Sequence, residues 1–325
     1  MNLTNKPKLY FIAHRMNVGS PSNEAHNHVD NGMEALDAVL EINADKDKYQ
    51  HLKGFECDVR LTGDNQLVVI HDANAKTMTT NKYNKNIGEM TFKELQSIEI
   101  RNAGLYYSGL KKRALLLPDS KRIRNIITQR LQNKTVVPRA FEMFEYLATQ
   151  KYAGEIVLEI KDAVDKTRDA TVELVNSFKN QLNIVVKSYD IKRTIEIGEK
   201  TGVKTGLLEA VRLVNKRNPI DGKFIKDMPF DFYSILWSKV NNNIMSSLVE
   251  NGKDLYMWTI DSAAHMFAAL KRLENYYDRF GSLPENTHFI TNLPILLEEY
   301  IGGERNNVPF AKASFSRYTK LFGSN

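Results

Sequence analysis

A chain of 325 residues that is 42% hydrophobic can bury a sizeable core, and its 17 glycines and 9 prolines are too few for long disorder. Its 45 basic and 39 acidic side chains leave a net charge of only +6, with the acids spread throughout. That balance argues against a nucleic-acid partner and fits an anionic substrate or membrane headgroup.

The first apolar run, residues 9–15, reads Leu-Tyr-Phe-Ile-Ala-His14-Arg15 and ends abruptly in two polar side chains. The next, 53–59, carries Glu56 and Asp58 on one face of a strand and Cys57 on the other, where a small side chain packs under helices. As the lone cysteine, Cys57 excludes an intramolecular disulfide. Residues 67–72, Leu-Val-Val-Ile-His71-Asp72, follow too closely for a parallel crossover, which needs about a dozen residues or more. The link Thr62-Gly63-Asp64-Asn65-Gln66 has turn chemistry, so an antiparallel hairpin centred near Asp64 is expected. Such a hairpin returns His71 to the level of Glu56 and Cys57.

Residues 73–138 break the pattern and read as an insertion over the site. They hold the basic stretch from Lys111-Lys112-Arg113 to Lys121-Arg122-Ile123-Arg124, which suits either a headgroup-facing lid or a solvated, locally helical excursion. Beyond it, strand-like runs at 155–160, 184–187, 204–208, 232–236, 255–259 and 288–291 alternate with amphipathic segments. Met266, Phe267, Leu270 and Leu273, for example, recur at helical spacing. With the strands at 9–13 and 53–59 the count is eight, which favours a closed (β/α)₈ TIM-type barrel over an open sheet. The barrel is expected over 1–303, with 73–138 inserted after the second strand. The basic and aromatic tail, 304–325, is either an interfacial helix or one docked on its own domain. The opening Met-Asn-Leu-Thr-Asn-Lys-Pro-Lys lacks the apolar core of a secretory leader and no run is long enough to span a bilayer, so a cytoplasmic protein is expected.

Buried strands rarely carry charge, because an unpaired charge there costs about several kcal/mol or more. Strands ending in His14-Arg15, Glu56-x-Asp58 and Glu159-x-Lys161, with His71 on the hairpin, therefore point to an active site at the carboxyl ends of a barrel. Three carboxylates without paired cysteine or histidine spacing suit a hard divalent cation, Mg²⁺ or Ca²⁺, better than zinc. Arg15 and Lys161 suit an anionic, phosphate-like substrate. Two histidines beside a metal and a phosphate form an acid/base pair, and phosphodiester cleavage uses all of these parts.

His14-Arg15, the stretch Asp30-Asn31-Gly32-Met33-Glu34-Ala35, Glu56-x-Asp58-Val59-x-Leu61-Thr62-x-Asp64, His71-Asp72, Leu158-Glu159-Ile160-Lys161, Trp258-Thr259 and Ile290-Thr291-Asn292-x-Pro294 together resemble the ordered motifs of the glycerophosphodiester phosphodiesterase family over residues 9–300. The resemblance implies a phospholipase-C-like phosphodiesterase barrel with a divalent cation on Glu56, Asp58 and Glu159. It implies His14 and His71 as catalytic acid and base, Arg15 and Lys161 on the phosphate, and Trp258 lining the alcohol pocket. The implied reaction hydrolyses a small or lipid-derived glycerophosphodiester to glycerol phosphate and an alcohol. Met16 stands where the family usually has glycine, and it either reshapes the mouth beside His14 or packs against the insertion. The late Thr-Asp of the family reads Thr291-Asn292. Alternatives are a phospholipase-D-like enzyme on lysophospholipid or sphingolipid, with peripheral membrane contact, and a noncatalytic barrel binding phosphodiesters or cell-envelope polymers.

Overall fold

Nine strands form one sheet: β1 (Lys8–Ala13), β2 (Leu52–Leu61), β3 (Leu67–Val69), β4 (Glu155–Ile160), β5 (Asn183–Ser188), β6 (Thr205–Leu208), β7 (Phe232–Leu236), β8 (Asp254–Trp258) and β9 (Asn286–Thr291). All except β3 run parallel, and β1 pairs with both β9 and β2, which closes eight strands into a barrel with helices between them. This is the expected (β/α)₈ architecture. The computed structural model describes residues 7–19, 27–45, 47–79, 83–101, 120–209, 220–302 and 309–322.

Side-chain alternation sorts each strand between two cores. Phe11, Phe55, Cys57, Ile156 and Leu158 face outward into the main apolar cluster, where the helices cover them. Ile12, Val157, Val185, Phe232, Tyr256 and Ile290 fill a layer inside the barrel, with Trp258 packed against it. The barrel closes this tightly because Gly54 and Gly206 lack side chains. A Cβ on Gly54 would lie 1.9 Å from the Glu155 carbonyl oxygen, and one on Gly206 would lie 2.2 Å from the Phe232 ring. A plugged middle leaves the strand ends as the places for chemistry.

β3 folds back on β2 with Val59 opposite Val69, Arg60 opposite Val68 and Leu61 opposite Leu67, so the turn centres on Asp64 as its chemistry predicts. The ladder continues with Ile70 N–H donating to Asp58 O at 2.8 Å, and Arg60 Nε donates to the His71 carbonyl at 2.8 Å. His71 is thereby fixed to the strand that carries the carboxylates.

The described part of the excursion between β3 and β4 is packed, which decides against a merely solvated segment. Val68 and Ile70 share a separate apolar cluster with Ile87, Phe92, Leu95 and Val137. Thr91 and Glu94 form a capping box at the start of helix Phe92–Gln96. Ile123 and Ile126 of helix Ser120–Gln132 join the main cluster, while the buried Arg130 donates from Nη2 to Asn292 O (2.9 Å) just beyond β9. Of the basic stretch, Lys111, Lys112 and Arg113 lie outside the described residues, and Lys121 is exposed.

Helix Pro309–Phe322 docks on its own chain. Arg317 pairs with Glu274 at 2.6 Å and Lys320 with Asp278 at 2.8 Å, both on helix Ala263–Phe280. The Tyr318 hydroxyl meets Nε2 of His51 (2.6 Å), whose Nδ1–H donates to Glu298 (2.6 Å). His51 immediately precedes β2, so the tail lies at the amino ends of the strands, away from the mouth. Among the described residues no helix is long and apolar enough to cross a membrane.

Candidate active site

β2 and β4 are in register with Asp58 beside Glu159, and Glu56 sits one side-chain step deeper. All three carboxylates are buried, and one oxygen from each lies within 4.8 Å of the others. Lys161 Nζ approaches Asp58 Oδ1 at 3.0 Å and also pairs with Glu159 Oε1. From β5, Lys187 Nζ lies 2.9 Å from Glu159 Oε2 and 3.4 Å from Glu56 Oε1. Oε1 of Glu56 and Oδ1 of Asp58 accept no hydrogen bond although both are buried. Buried oxygen donors converging from three residues could hold a metal ion.

The turn after β1 supplies the opposing wall. Arg15 (φ 53°) and Met16 (φ 62°) both adopt the left-handed region, which turns the Arg15 N–H onto Glu56 Oε2 at 2.9 Å. The Arg15 guanidinium reaches Asp58 Oδ2 through Nε (3.5 Å) and Asp30 Oδ2 through Nη1 (3.4 Å). Asn31, also left-handed at φ 60° as asparagine tolerates, grips Asp58 twice. Its Nδ2 donates to Asp58 Oδ2 at 2.9 Å and its Oδ1 accepts from Asp58 N at 3.3 Å. Met16 is fully buried in the same apolar cluster as Ile123 and Ile126. Its complete burial agrees with the packing reading.

Each histidine has a distinct partner. His14 Nδ1 meets Asn292 Oδ1 at 3.1 Å, and its Nε2 faces Glu56 Oε2 at 4.0 Å. Asp261 takes both the backbone N–H and the side-chain NH₂ of Asn292 on Oδ1, each at 3.0 Å, which leaves the Asn292 carbonyl oxygen for the imidazole. His71 Nδ1–H donates to Asp72 Oδ1 at 2.7 Å, and Thr77 Oγ1 donates to the other Asp72 oxygen at 2.6 Å. Arg15 and Asp58 act electrostatically on both histidines, so both share this mouth. Trp258 stands on the rim at the end of β8, half-buried, with Nε1 donating to Ser234 O at 3.1 Å.

Burial and charge pull these groups apart. Burial, reinforced by Asp58, pushes the Glu56 carboxyl up to about 8. Burial also disfavours the charged forms of Asp58 and Glu159, but their cations prevail. Lys161, His71 and Arg15 hold Asp58 well below the usual range, and Lys161 with Lys187 brings Glu159 down to about 2. Burial, then Arg15, lowers both His14 and His71, while Asp58 raises both and the hydrogen bond to Asp72 raises His71.

All eight residues expected from the sequence lie at this end of the barrel. Lys187 and Asp261 were not foreseen as part of it, and Asn292 stood only as a motif position without a role. The sequence signal for Lys187 is that it closes the buried run Ile184-Val185-Val186, which a lysine reaching water would do equally.

The sequence model of the Glycerophosphoryl diester phosphodiesterase family matches residues 24–276. No curated protein matches the chain. Among solved structures, a protein from Silicibacter pomeroyi assigned as a glycerophosphoryl diester phosphodiesterase is similar with a TM-score of 0.66 at 15% identity, covering 90% of this chain and 95% of that one. A phosphodiesterase from Oleispira antarctica, in complex with the product sn-glycerol-3-phosphate, gives 0.56 at 17% identity over 89% and 95% of the two chains. A glycerophosphodiester phosphodiesterase from Parabacteroides distasonis gives 0.55 at 17% identity over 93% and 100%. At such identities the structural likeness speaks for the fold, and the family match speaks for the rest. That match begins after β1 and ends in the long helix before β9, taking in both carboxylate-bearing strands, and by it the chain belongs to the glycerophosphoryl diester phosphodiesterase family of phosphoric diester hydrolases.

Proposed function

We propose that this enzyme hydrolyses a glycerophosphodiester to glycerol phosphate and a free alcohol, with His14 as general base and His71 as general acid. The observation that carries the reading is the pairing of two histidines with opposite kinds of partner beside one buried carboxylate cluster. Asn292, oriented by Asp261, accepts from Nδ1 of His14, so the lone pair of that imidazole is on Nε2 and faces the cluster. A neutral amide favours the imidazolium less than a carboxylate would, which suits a base. Asp72 is an anion against Nδ1 of His71 and favours its protonated form, which suits an acid.

Glu56, Asp58 and Glu159 would hold the divalent cation, Mg²⁺ or Ca²⁺, which when bound polarises the phosphoryl group and offsets its charge. Arg15 and Lys161, the cations nearest the mouth, bind and orient the phosphate. His14 Nε2 takes a proton from the attacking water as the new P–O bond forms. His71, in the doubly protonated form that Asp72 favours, gives the proton on Nε2 to the departing alkoxide as the old P–O bond breaks. Trp258 lines the alcohol pocket. sn-Glycerol-3-phosphate, the product held by the Oleispira relative, is the phosphate product this reaction would release.

The test is release of glycerol 3-phosphate from glycerophosphocholine and glycerophosphoglycerol in Mg²⁺, Ca²⁺ or EDTA, with wild type and His14→Ala. Metal-dependent release that His14→Ala abolishes is expected. Release in EDTA equal to that in metal would remove the cation from the reaction, and release untouched by His14→Ala would remove the base. No release from either substrate would redirect the reading to lysolipid phosphodiesters.

A further inference from the structure

Lys187 has no place in the scheme above. It comes from β5 in register with Glu159, which is itself in register with Asp58, so neighbouring strands carry Lys187, Glu159 and Asp58 at one level of the barrel. Its side chain is 3% exposed and bridges Glu159 Oε2 and Glu56 Oε1. Lys161 lies two residues further along β4, nearer the mouth, and covers Glu159 Oε1 and Asp58 Oδ1. The two ammonium groups therefore face all three carboxylates, which is the space and the charge a divalent cation needs.

The two lysines differ in what else they can do. Lys161, at the mouth, can turn to a substrate phosphate when the cluster fills. Lys187 lies at the level of the carboxylates themselves, where a second cation a few ångströms away meets little screening. We propose that Lys187 is a counter-cation built into the carboxylate cluster, which competes with a divalent metal for Glu56 and Glu159 and so sets the metal affinity. The inference rests on the metal reading of the cluster given above. Lys187 holds the carboxylates together in the metal-free enzyme and must give way when metal enters.

The experiment is calorimetric titration of Mg²⁺ and Ca²⁺ into the EDTA-stripped full chain as wild type, Lys187→Met and Lys187→Arg, with melting temperatures in EDTA and in saturating metal. Lys187→Met should bind metal about tenfold or more tightly than wild type. It should also melt lower in EDTA, with metal restoring the loss, and Lys187→Arg should bind no more tightly than wild type. Wild-type binding that Lys187→Met leaves unchanged or weakens would overturn the role of Lys187 and leave the metal site standing. Binding by none of the three would overturn the metal reading and this inference with it. Should Lys187→Met fail to fold, acetylation of the wild type by acetic anhydride, read by peptide mass spectrometry, decides the matter. Lys187 labelling should rise when metal is added, and unchanged labelling would overturn the proposal.

Discussion

Arg15 touches two acids through its guanidinium and a third through its backbone N–H, and it does so from a left-handed conformation that costs a non-glycine residue about 1–2 kcal/mol. Arg15→Lys keeps the charge and loses the fork that spans Asp58 and Asp30 while leaving a face for phosphate. Its KM should rise about tenfold or more, read from initial rates across substrate concentration; an unchanged KM would make Arg15 purely structural. His71→Ala should instead lower kcat by about 10²–10⁴-fold. A measured loss below about tenfold would exclude it as the acid. Met16 also pays for a left-handed backbone, and its complete burial offsets that cost, which is why a position usually held by glycine can carry a large apolar side chain here.

At the level of elements, the lower half of the barrel holds a second polar set. His288 of β9 is stacked on Tyr256 (4.0 Å between centroids) and Tyr10 (5.2 Å), with Lys53 Nζ 3.4 Å from its Nε2. Burial, then Lys53, drives its pKa well below 6.5. The folded chain thus refuses a proton that the unfolded chain accepts below about pH 6.5. Stability is full above that pH and is lost as pH falls from there toward the folded value. His288→Phe keeps the stack and removes the titration, so the drop in urea midpoint between pH 7.5 and 5.5 should shrink relative to wild type. An equal drop in both proteins would show that His288 does not supply the slope. The strands and the hairpin were legible because apolar runs and a two-residue period survive in the sequence, and because Asp64 and its neighbours set the register. Lys187 was not, since a single lysine at the end of a run looks the same whether it meets water or a carboxylate on the next strand. The role of Asn292 and the presence of Asp261 were hidden for a related reason: the pair is 31 residues apart in the chain and meets only in the fold.

For the molecule as a whole, chemistry and anchoring occupy opposite ends. The mouth collects the charged side chains, while the tail helix seals the amino ends through Tyr318, His51 and Glu298. Tyr318→Phe leaves Nε2 of a buried histidine without its partner, which costs about 1–3 kcal/mol. It should lower the melting temperature and leave kcat and KM unchanged. A change in KM at full stability would mean that the tail reports to the mouth. Tyr318, Leu321 and Phe322 are buried, and the tail's position was undecided in the sequence because an amphipathic helix fits a membrane and a protein face equally well.

The outward turn of Cys57 has a practical consequence. It stands between Glu56 and Asp58 on β2 with its back to them, fully buried, and burial pushes its thiol well above the ordinary value. In the folded chain it is silent to alkylating reagents. A lone silent thiol on that strand is a clock: the rate at which it is alkylated counts how often β2 comes away from its helices, and whatever seats itself on the far side of the same strand should slow the count.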